Sequence, residues 1–257
     1  MKTAVFLTVF ILFMPFSPFP ANGMEFREIL DRTIDKESQN NSAVRDAVYA
    51  ADGLYTELND EGGREKEVRT RRTVYRKGPD KSYSVYLYMY IDGKKLTDAE
   101  IKKETAKMRR GDRDKKDSKR SFLSPFSPEV RGDYDFFYAG PAEWSGRLSW
   151  IIEFKPKVPD ETRAVGRAWV SRTDFNVFCL EFSMSKLPWM LKDFNMKVIY
   201  GDFEGCRLPA ELEMNMQVKV KFLLTLADKR LKFKEIYSGY RINSGIRDSF
   251  FLGKVLD

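Results

Sequence analysis

The chain has 257 residues, of which 42% are hydrophobic and 32% charged, and its formal net charge is +7 at pH 7. It contains no histidine, which excludes the usual catalytic triads, histidine-based zinc sites and the commonest general base at neutral pH. A mildly basic protein suits anionic lipid or acidic partners, but this charge does not by itself select nucleic acid.

The first 23 residues are typical of an export signal. Lys2 supplies a positive charge, Ala4–Met14 is an apolar run, and Ala21-Asn22-Gly23 carries small residues where a signal peptidase cuts. The run is shorter than the about 20 residues of a membrane span, and no Cys directly follows it to carry a lipid anchor. We therefore expect cleavage near Gly23, a periplasmic location and a single domain over residues 24–257.

Two helices and about ten strands are predicted from periodicity and turn residues. Met24–Lys36 places apolar residues on one helical stripe, and Thr97 and Glu100 have the spacing of a capping box that begins a second helix. In chain order the predicted strands are Val44–Leu58 (with a bulge near Ala51-Asp52-Gly53), Glu67–Arg76, Tyr83–Ile91 (with Val85, Leu87 and Met89 on one face), Tyr134–Tyr138, Arg147–Lys155, Val165–Val170, Phe175–Met184, Phe194–Tyr200, Ala210–Leu224 and Leu231–Ile242.

The segment Ala210–Leu224 alternates almost without a fault between apolar and polar residues. A period of two over this length predicts an antiparallel strand with one dry face. Because sheets twist, a strand this long must coil around something. A nearly unbroken series of strands along the chain, with only two helices, predicts a barrel or a deeply curled sheet.

Large, adaptable apolar side chains fall on the faces assigned to the interior. A packed β core is one explanation. Methionine, however, specifies a rigid core poorly and suits a surface that repacks around varied apolar guests. Long strands in many hairpins also enclose a volume that side chains fill only in small barrels. The residues predicted to bind an apolar guest are Trp150, Ile152, Phe154, Phe178, Leu180, Phe182, Met196, Val198, Tyr200, Leu212, Met214, Met216 and Val218.

The two cysteines, Cys179 and Cys206, could pair in an oxidising compartment. The alternation of residues along their strands places the two cysteines on different faces of the sheet. Gly205 and Pro209, however, could interrupt this alternation and change the face on which Cys206 lies. A disulfide and two separate thiols in packed surroundings therefore both remain open.

The segment Lys107–Arg120 holds eight basic and three acidic residues. It is either a solvated insertion that keeps a sheet edge from pairing, or a cationic segment beside a cavity mouth that meets phosphate head groups or an acidic partner. No aromatic residue lies between Arg109 and Arg120. A stacking platform for single-stranded nucleic acid is therefore absent, and we expect no nucleic-acid partner.

No catalytic constellation stands out. Four carboxylates lie on or near predicted strands: Glu143, Glu153, Asp174 and Glu181. Their positions are explained by the charged side chains that the solvent-exposed face of a strand ordinarily carries. Motifs for phosphate loops, calcium loops and metal clusters are missing. We therefore expect a protein that is not an enzyme and that has no cofactor or metal.

A succession of strand segments carries a family resemblance: Tyr134–Tyr138, Ile152–Pro156, Gly166–Val170, Phe175–Phe182, a strand ending at Tyr200, and Leu208-Pro209 before the long strand. In the order and character of these strands, Asp133–Ile242 resembles the LolA/LolB superfamily of exported carriers, in particular its outer-membrane lipoprotein-sorting branch. The resemblance implies a mainly β (α+β) fold, a strongly curved antiparallel unclosed β-barrel. It also implies a helical lid, from Met24–Lys36 and Thr97–Met108, over a hydrophobic cavity that holds acyl chains.

On this basis we expect a periplasmic carrier that binds the acyl chains of lipoproteins or lipids and delivers them towards the outer membrane. Its partners would be membrane-bound donor and acceptor proteins, and the carrier itself would be a monomer. The alternative is a non-enzymatic sensor or scaffold of the same fold that binds a partner protein in envelope-stress signalling. The sequence leaves the cargo and the partner open.

Overall fold

The computed structural model describes residues 24–78, 81–113, 124–222 and 225–252, with side chains described in all of these except 107–113, 220–222 and 225–227. The predicted export signal, residues 114–120 of the basic segment and the last two residues of the predicted long strand lie outside the described residues. None of the described helices has the length and apolar character that crossing a membrane requires.

The described residues form two α-helices, two short 3-10 helices and eleven strands. The helices are α1 (Phe26–Ala43) and α2 (Asp98–Arg113), with 3-10 turns at Arg131–Asp133 and Asp248–Phe251. The strands are β1 (Asp46–Leu58), β2 (Arg64–Lys77), β3 (Lys81–Ile91), β4 (Lys94–Lys95), β5 (Tyr134–Trp144), β6 (Arg147–Pro156), β7 (Ala164–Ser171), β8 (Val177–Met184), β9 (Leu191–Phe203), β10 (Cys206–Phe222) and β11 (Thr225–Ile242).

All eleven strands belong to one antiparallel sheet in the order β4-β3-β2-β1-β11-β10-β9-β8-β7-β6-β5. The first strand pairs with the last, while the end strands β4 and β5 do not pair with each other. The sheet is therefore curved and unclosed, with helices beside it, which confirms the predicted fold class.

Helix α1 packs on the concave face of the sheet. Ile29 and Ile34 are buried in the same hydrophobic cluster as Trp150 and Ile152 of β6. The predicted end of α1 at Lys36 is wrong, because the helix continues to Ala43. The side-chain amide of Asn40 donates a hydrogen bond of 2.9 Å to Oδ1 of Asn176. This contact with the residue that precedes β8 favours the helical conformation in a polar stretch that has weak helix propensity.

The predicted bulge near Ala51-Asp52-Gly53 is also misplaced. The register of β1 against β11 shifts between Val48 and Ala50, where the ring of Tyr49 stacks on Tyr240 with centroids 4.7 Å apart. Gly53 stays in register. Its role is steric, because a Cβ there would come 2.8 Å from Oγ1 of Thr70.

The predicted common face of Val85, Leu87 and Met89 is interrupted. The pairing of β3 with β2 shifts so that Leu87 has no partner residue. Met89 is fully buried, whereas Leu87 is 55% exposed. A bulge reverses the alternation beyond it, and this reversal turns Ser84 and Tyr86 towards the concave face.

The capping box is confirmed at the start of α2. Glu100 accepts a hydrogen bond of 2.8 Å from the backbone N–H of Thr97, and the hydroxyl of Thr97 accepts one of 3.4 Å from the backbone N–H of Glu100. Both cysteines are free, with Cys179 buried and Cys206 half-buried. Cys179 lies in a hydrophobic cluster with Trp169 that does not include Cys206.

Candidate functional site

The strand register places the predicted binding residues on one wall. A row of directly paired residues crosses five neighbouring strands from β6 to β10. In order across the sheet, these residues are Ile152, Ala168, Leu180, Val198 and Leu212. Directly paired residues of an antiparallel sheet lie on the same face. The wall is therefore a single concave surface that runs from β6 to β10.

One half of this wall is filled by packing. The side chains of Trp150, Ile152, Phe154, Leu180 and Phe182 are buried. They share one cluster with Ile29 and Ile34 of α1 and with Phe126 of the segment before β5. In this half the wall is a conventional core under the first helix, and Val198 belongs to the same core.

The other half of the wall is half-buried. Met196, Tyr200, Leu212, Met214 and Met216 lie at the margin of the core as partly buried side chains, and Val218 is half-buried as well. The register continues the apolar row from Met214 to Phe233, to Tyr55 and to Val68. We call the half-buried residues of this surface the open strip: Met214, Met216, Val218, Leu231, Phe233, Tyr55 and Val68.

Phe178 does not belong to the wall. The register of β7 against β8 shifts between Trp169 and Val170, which leaves Phe178 without a paired residue. The bulge turns this ring to the convex face, where it packs against Trp144 with centroids 5.4 Å apart. The alternation of the sequence alone assigned it to the interior, and this assignment is corrected.

A charged pair in the concave face was missed by the sequence reasoning. Arg72 of β2 lies 2.9 Å from the carboxylate of Glu235 on β11, and Glu235 is 3% exposed. Burial and the neighbouring Glu235 carboxylate raise the pKa of Tyr237. The signal was present, because Glu235 falls in the same alternation as Leu231 and Phe233, at a position that faces inward.

A cavity of about 480 Å³ lies at one end of the wall, between the C-terminal part of α1 and the starts of β1 and β10. We call it the end cavity. Of the predicted binding residues, only Tyr200 lines it. Its lining comprises Glu37, Asn40, Asn41, Val44, Arg45, Asp46, Ala47, Arg76, Gly78, Ser124, Ser127, Glu129, Tyr200, Arg207, Leu208 and Pro209.

Glu37 is a half-buried acid of the end cavity. Burial raises the pKa of this carboxyl, and a hydrogen bond with Ser124 acts in the opposite direction. Burial also raises the pKa of Tyr200, and the nearby Glu37 adds to the effect. The end cavity is therefore polar and charged on the side that helix α1 forms, whereas the open strip is apolar.

A second concavity of about 590 Å³ is a shallow groove on the convex side, lined by residues such as Phe137, Val165 and Lys155. Two of its four charged residues form an ion pair, since Arg167 lies 2.9 Å from Glu181. No group of three or more Cys, Asp or Glu residues within the described ranges is placed to hold a metal ion.

Neither a protein-family model nor a curated protein sequence matches the chain. Among solved structures, the chain is similar to a domain assigned to outer membrane lipoprotein sorting from Vibrio parahaemolyticus, with 10% identity, a TM-score of 0.45, and coverage of 87% of this chain and 97% of that domain. A DUF1329 family protein from Desulfovibrio piger gives 12% identity, a TM-score of 0.41, and coverage of 90% and 98%. A LolA superfamily protein from Nitrosomonas europaea gives 9% identity, a TM-score of 0.35, and coverage of 88% and 96%.

One of these solved structures is named for the LolA superfamily. Because all three TM-scores lie below 0.5, these matches carry no argument about this chain. What those proteins bind is therefore not transferred to this chain, and the function has to be argued from its own surfaces.

Proposed function

We propose that this protein is a non-enzymatic periplasmic carrier that binds the acyl chains of lipoproteins or lipids along the open strip and delivers them towards the outer membrane. The observation that carries the proposal is the continuous half-buried apolar surface on the concave face of an unclosed sheet. It includes Met214 and Met216 at its centre, with Phe233 beside them. The predicted export signal supports the location.

Acyl chains match this surface in chemistry. Each buried methylene contributes about 0.8 kcal/mol, so about eight methylenes against the open strip would contribute roughly 6 kcal/mol before the entropic cost of ordering the chain. Methionine side chains adjust their rotamers to chains of different length. The packed half of the wall would act as a rigid support rather than as part of the binding surface.

The transfer step would involve α1 and membrane-bound donor and acceptor proteins. The helix lies over the concave face through Ile29 and Ile34, and the hydrogen bond between Asn40 and Asn176 holds its C-terminal half. A small shift of this helix would widen the margin where Met214 and Met216 lie. In this account the carrier acts as a monomer.

The test is mass spectrometry of lipids extracted from protein purified without detergent from the periplasm. The wild type is expected to carry lipid, and Met216→Lys is expected to lose it, because a charge would then lie on the open strip. The matched control is Ile236→Lys, since Ile236 is a half-exposed apolar residue of β11 on the convex face. This control is expected to retain its lipid.

Wild-type protein that is consistently free of lipid would overturn the carrier proposal. A pull-down that returns one protein partner and no lipid would instead favour a sensor or scaffold that uses the same concave face.

A further inference from the structure

The end cavity carries positive charge on its sheet side. Arg45 and Arg76 are adjacent there, because the N–H of Gly78 donates a hydrogen bond of 3.0 Å to the carbonyl of Arg45 and Arg76 pairs with Ala47 at the start of β1. The Nε of Arg76 donates to the carbonyl of Gly78 at 3.2 Å. Neither guanidinium forms an ion pair with a carboxylate among the described side chains.

The opposite, helix side of the end cavity carries carboxylates. Glu37 extends from α1 and Glu129 from the segment that follows Ser124. Glu37 is hydrogen-bonded to Ser124, and Glu129 accepts a hydrogen bond from Ser127. Within the part of the chain that the structure describes, neither carboxylate is paired with a lysine or an arginine.

The remaining charged groups of the lining already have partners. Arg207 lies 2.6 Å from Asp202, and Asp46 accepts hydrogen bonds from the hydroxyl of Ser244 and the backbone N–H of Gly245. The charges left for a guest are therefore two cations on the sheet side and two carboxylates on the helix side. Val44, Ala47, Leu208 and Pro209 form apolar parts of the lining.

We propose that the end cavity binds a zwitterionic phosphoethanolamine group, with its phosphate at Arg45 and Arg76 and its ammonium at Glu37 and Glu129. Arginine donors suit phosphate oxygens, and charge-assisted hydrogen bonds are the stronger kind. A volume of about 480 Å³ lies in the ordinary range of small-molecule sites.

The end cavity and the open strip lie on the same concave face. Tyr200 lines the cavity, and the paired residues Val198 and Leu212 lie between it and Met214 in the strand register. A phosphoethanolamine lipid could thus place its head group in the cavity and its tails along the strip. The inference names the head group of the guest, and it rests on the proposed carrier function for the tails only.

The experiment uses calorimetric titration of the full mature chain with four probes. They are O-phosphoethanolamine, inorganic phosphate, dihexanoyl phosphatidylethanolamine and dihexanoyl phosphatidylglycerol. We expect the phosphatidylethanolamine to bind at least about tenfold more tightly than the phosphatidylglycerol, and phosphoethanolamine more tightly than phosphate. Equal affinity for the free and the lipid-linked group identifies a site for the head group alone, whereas tighter binding of the lipid identifies a lipid site.

Variants then separate the two sides of the cavity. Arg76→Met and Glu37→Gln are each expected to weaken phosphatidylethanolamine binding about tenfold. Arg147→Met and Glu161→Gln remove exposed charges outside the cavity and are expected to change nothing. Arg76 is exposed, so its variant is expected to fold, and the thermal midpoint of each variant verifies this.

Equal binding of the two lipids, unchanged binding by both cavity variants, or no binding of any probe would overturn the inference. Displacement of a fluorescent long-chain acyl probe is measured in parallel. Acyl binding without head-group preference would reject the head-group site and leave the carrier function standing. Phosphoethanolamine binding without acyl binding would reject the carrier function and leave the head-group site standing.

Discussion

The guanidinium of Arg72 lies 2.9 Å from the carboxylate of Glu235 on the concave face of the sheet. The two residues belong to β2 and β11, with β1 between them. A Cβ at Gly53 of β1 would come 3.6 Å from Oε1 of Glu235, which is an ordinary van der Waals contact, whereas it would come 2.8 Å from Oγ1 of Thr70. The pair thus bridges three strands on a face whose neighbouring positions are mostly apolar.

Breaking this pair is expected to destabilise the fold. Arg72→Met leaves the buried Glu235 carboxylate without its cation, and we expect the free energy of unfolding in urea to fall by about 3 kcal/mol. The double variant Arg72→Met/Glu235→Leu removes both charges and is expected to lose less than about 1 kcal/mol. A double variant as unstable as the single one would contradict this account.

The matched control for the buried pair is Arg167→Met on the convex face. Arg167 pairs with Glu181, and its side chain is 52% exposed. Because an exposed ion pair contributes little, we expect this change to lower the free energy of unfolding by less than about 1 kcal/mol.

Gly166 is expected to tolerate no side chain. A Cβ at this position would come 2.1 Å from the backbone carbonyl of Glu181 on β8. Because the opposing atom is backbone, it cannot move aside as a flexible side chain would. We expect Gly166→Ala to lower the free energy of unfolding by about 3 kcal/mol.

Gly132→Ala provides the comparison, since no atom lies within 4 Å of its built Cβ. This change is expected to stay within about 0.5 kcal/mol of the wild type. Similar urea midpoints for the two glycine variants would show that β7 and β8 are not packed as closely as described.

The two cysteines are expected to differ in reactivity. Burial raises the pKa of the Cys179 thiol to about 12, so at pH 8 only about one molecule in ten thousand carries the thiolate. Cys206 is half-buried and is expected to react first with Ellman's reagent. Reaction of both thiols at equal rates in the native protein would contradict this, as would the absence of free thiols after denaturation.

Helix α1 is expected to contribute to stability through its buried stripe. Ile29 is fully buried in the main cluster, so Ile29→Ala is expected to lower the free energy of unfolding by about 3 kcal/mol. The adjacent Leu30 is half-buried, and Leu30→Ala is expected to lose about 1 kcal/mol. Equal losses would place the helix in a different orientation.

The sequence was sufficient to predict elements whose local residue pattern depends only on which face is buried or on the spacing of a cap. Alternation identified the strand that carries Met214 and Met216, and the spacing of Thr97 and Glu100 identified the cap of α2. It failed where a bulge changes the parity. Phe178 is itself the unpaired residue of a bulge, and its ring therefore turns to the convex face. No local signal in the sequence marks the position of this bulge.

The site was harder to predict because it depends on pairing between distant strands. Arg72 and Glu235 are separated by most of the chain, and only the β1–β11 pairing brings them to one face. The end of α1 likewise depends on a tertiary contact, the hydrogen bond from Asn40 to Asn176. Which half of the wall is filled by the helix could not be read from alternation.

The most direct test of the account is photo-crosslinking with a long-chain acyl lipid that carries a diazirine near the end of its tail, followed by peptide mass spectrometry. We expect labels on the open strip, at Met214, Met216 and Phe233. We also expect Met216→Lys to abolish these labels and Ile236→Lys to retain them. Labels confined to convex-face residues such as Ile236 and Leu148, or no label at all, would contradict it.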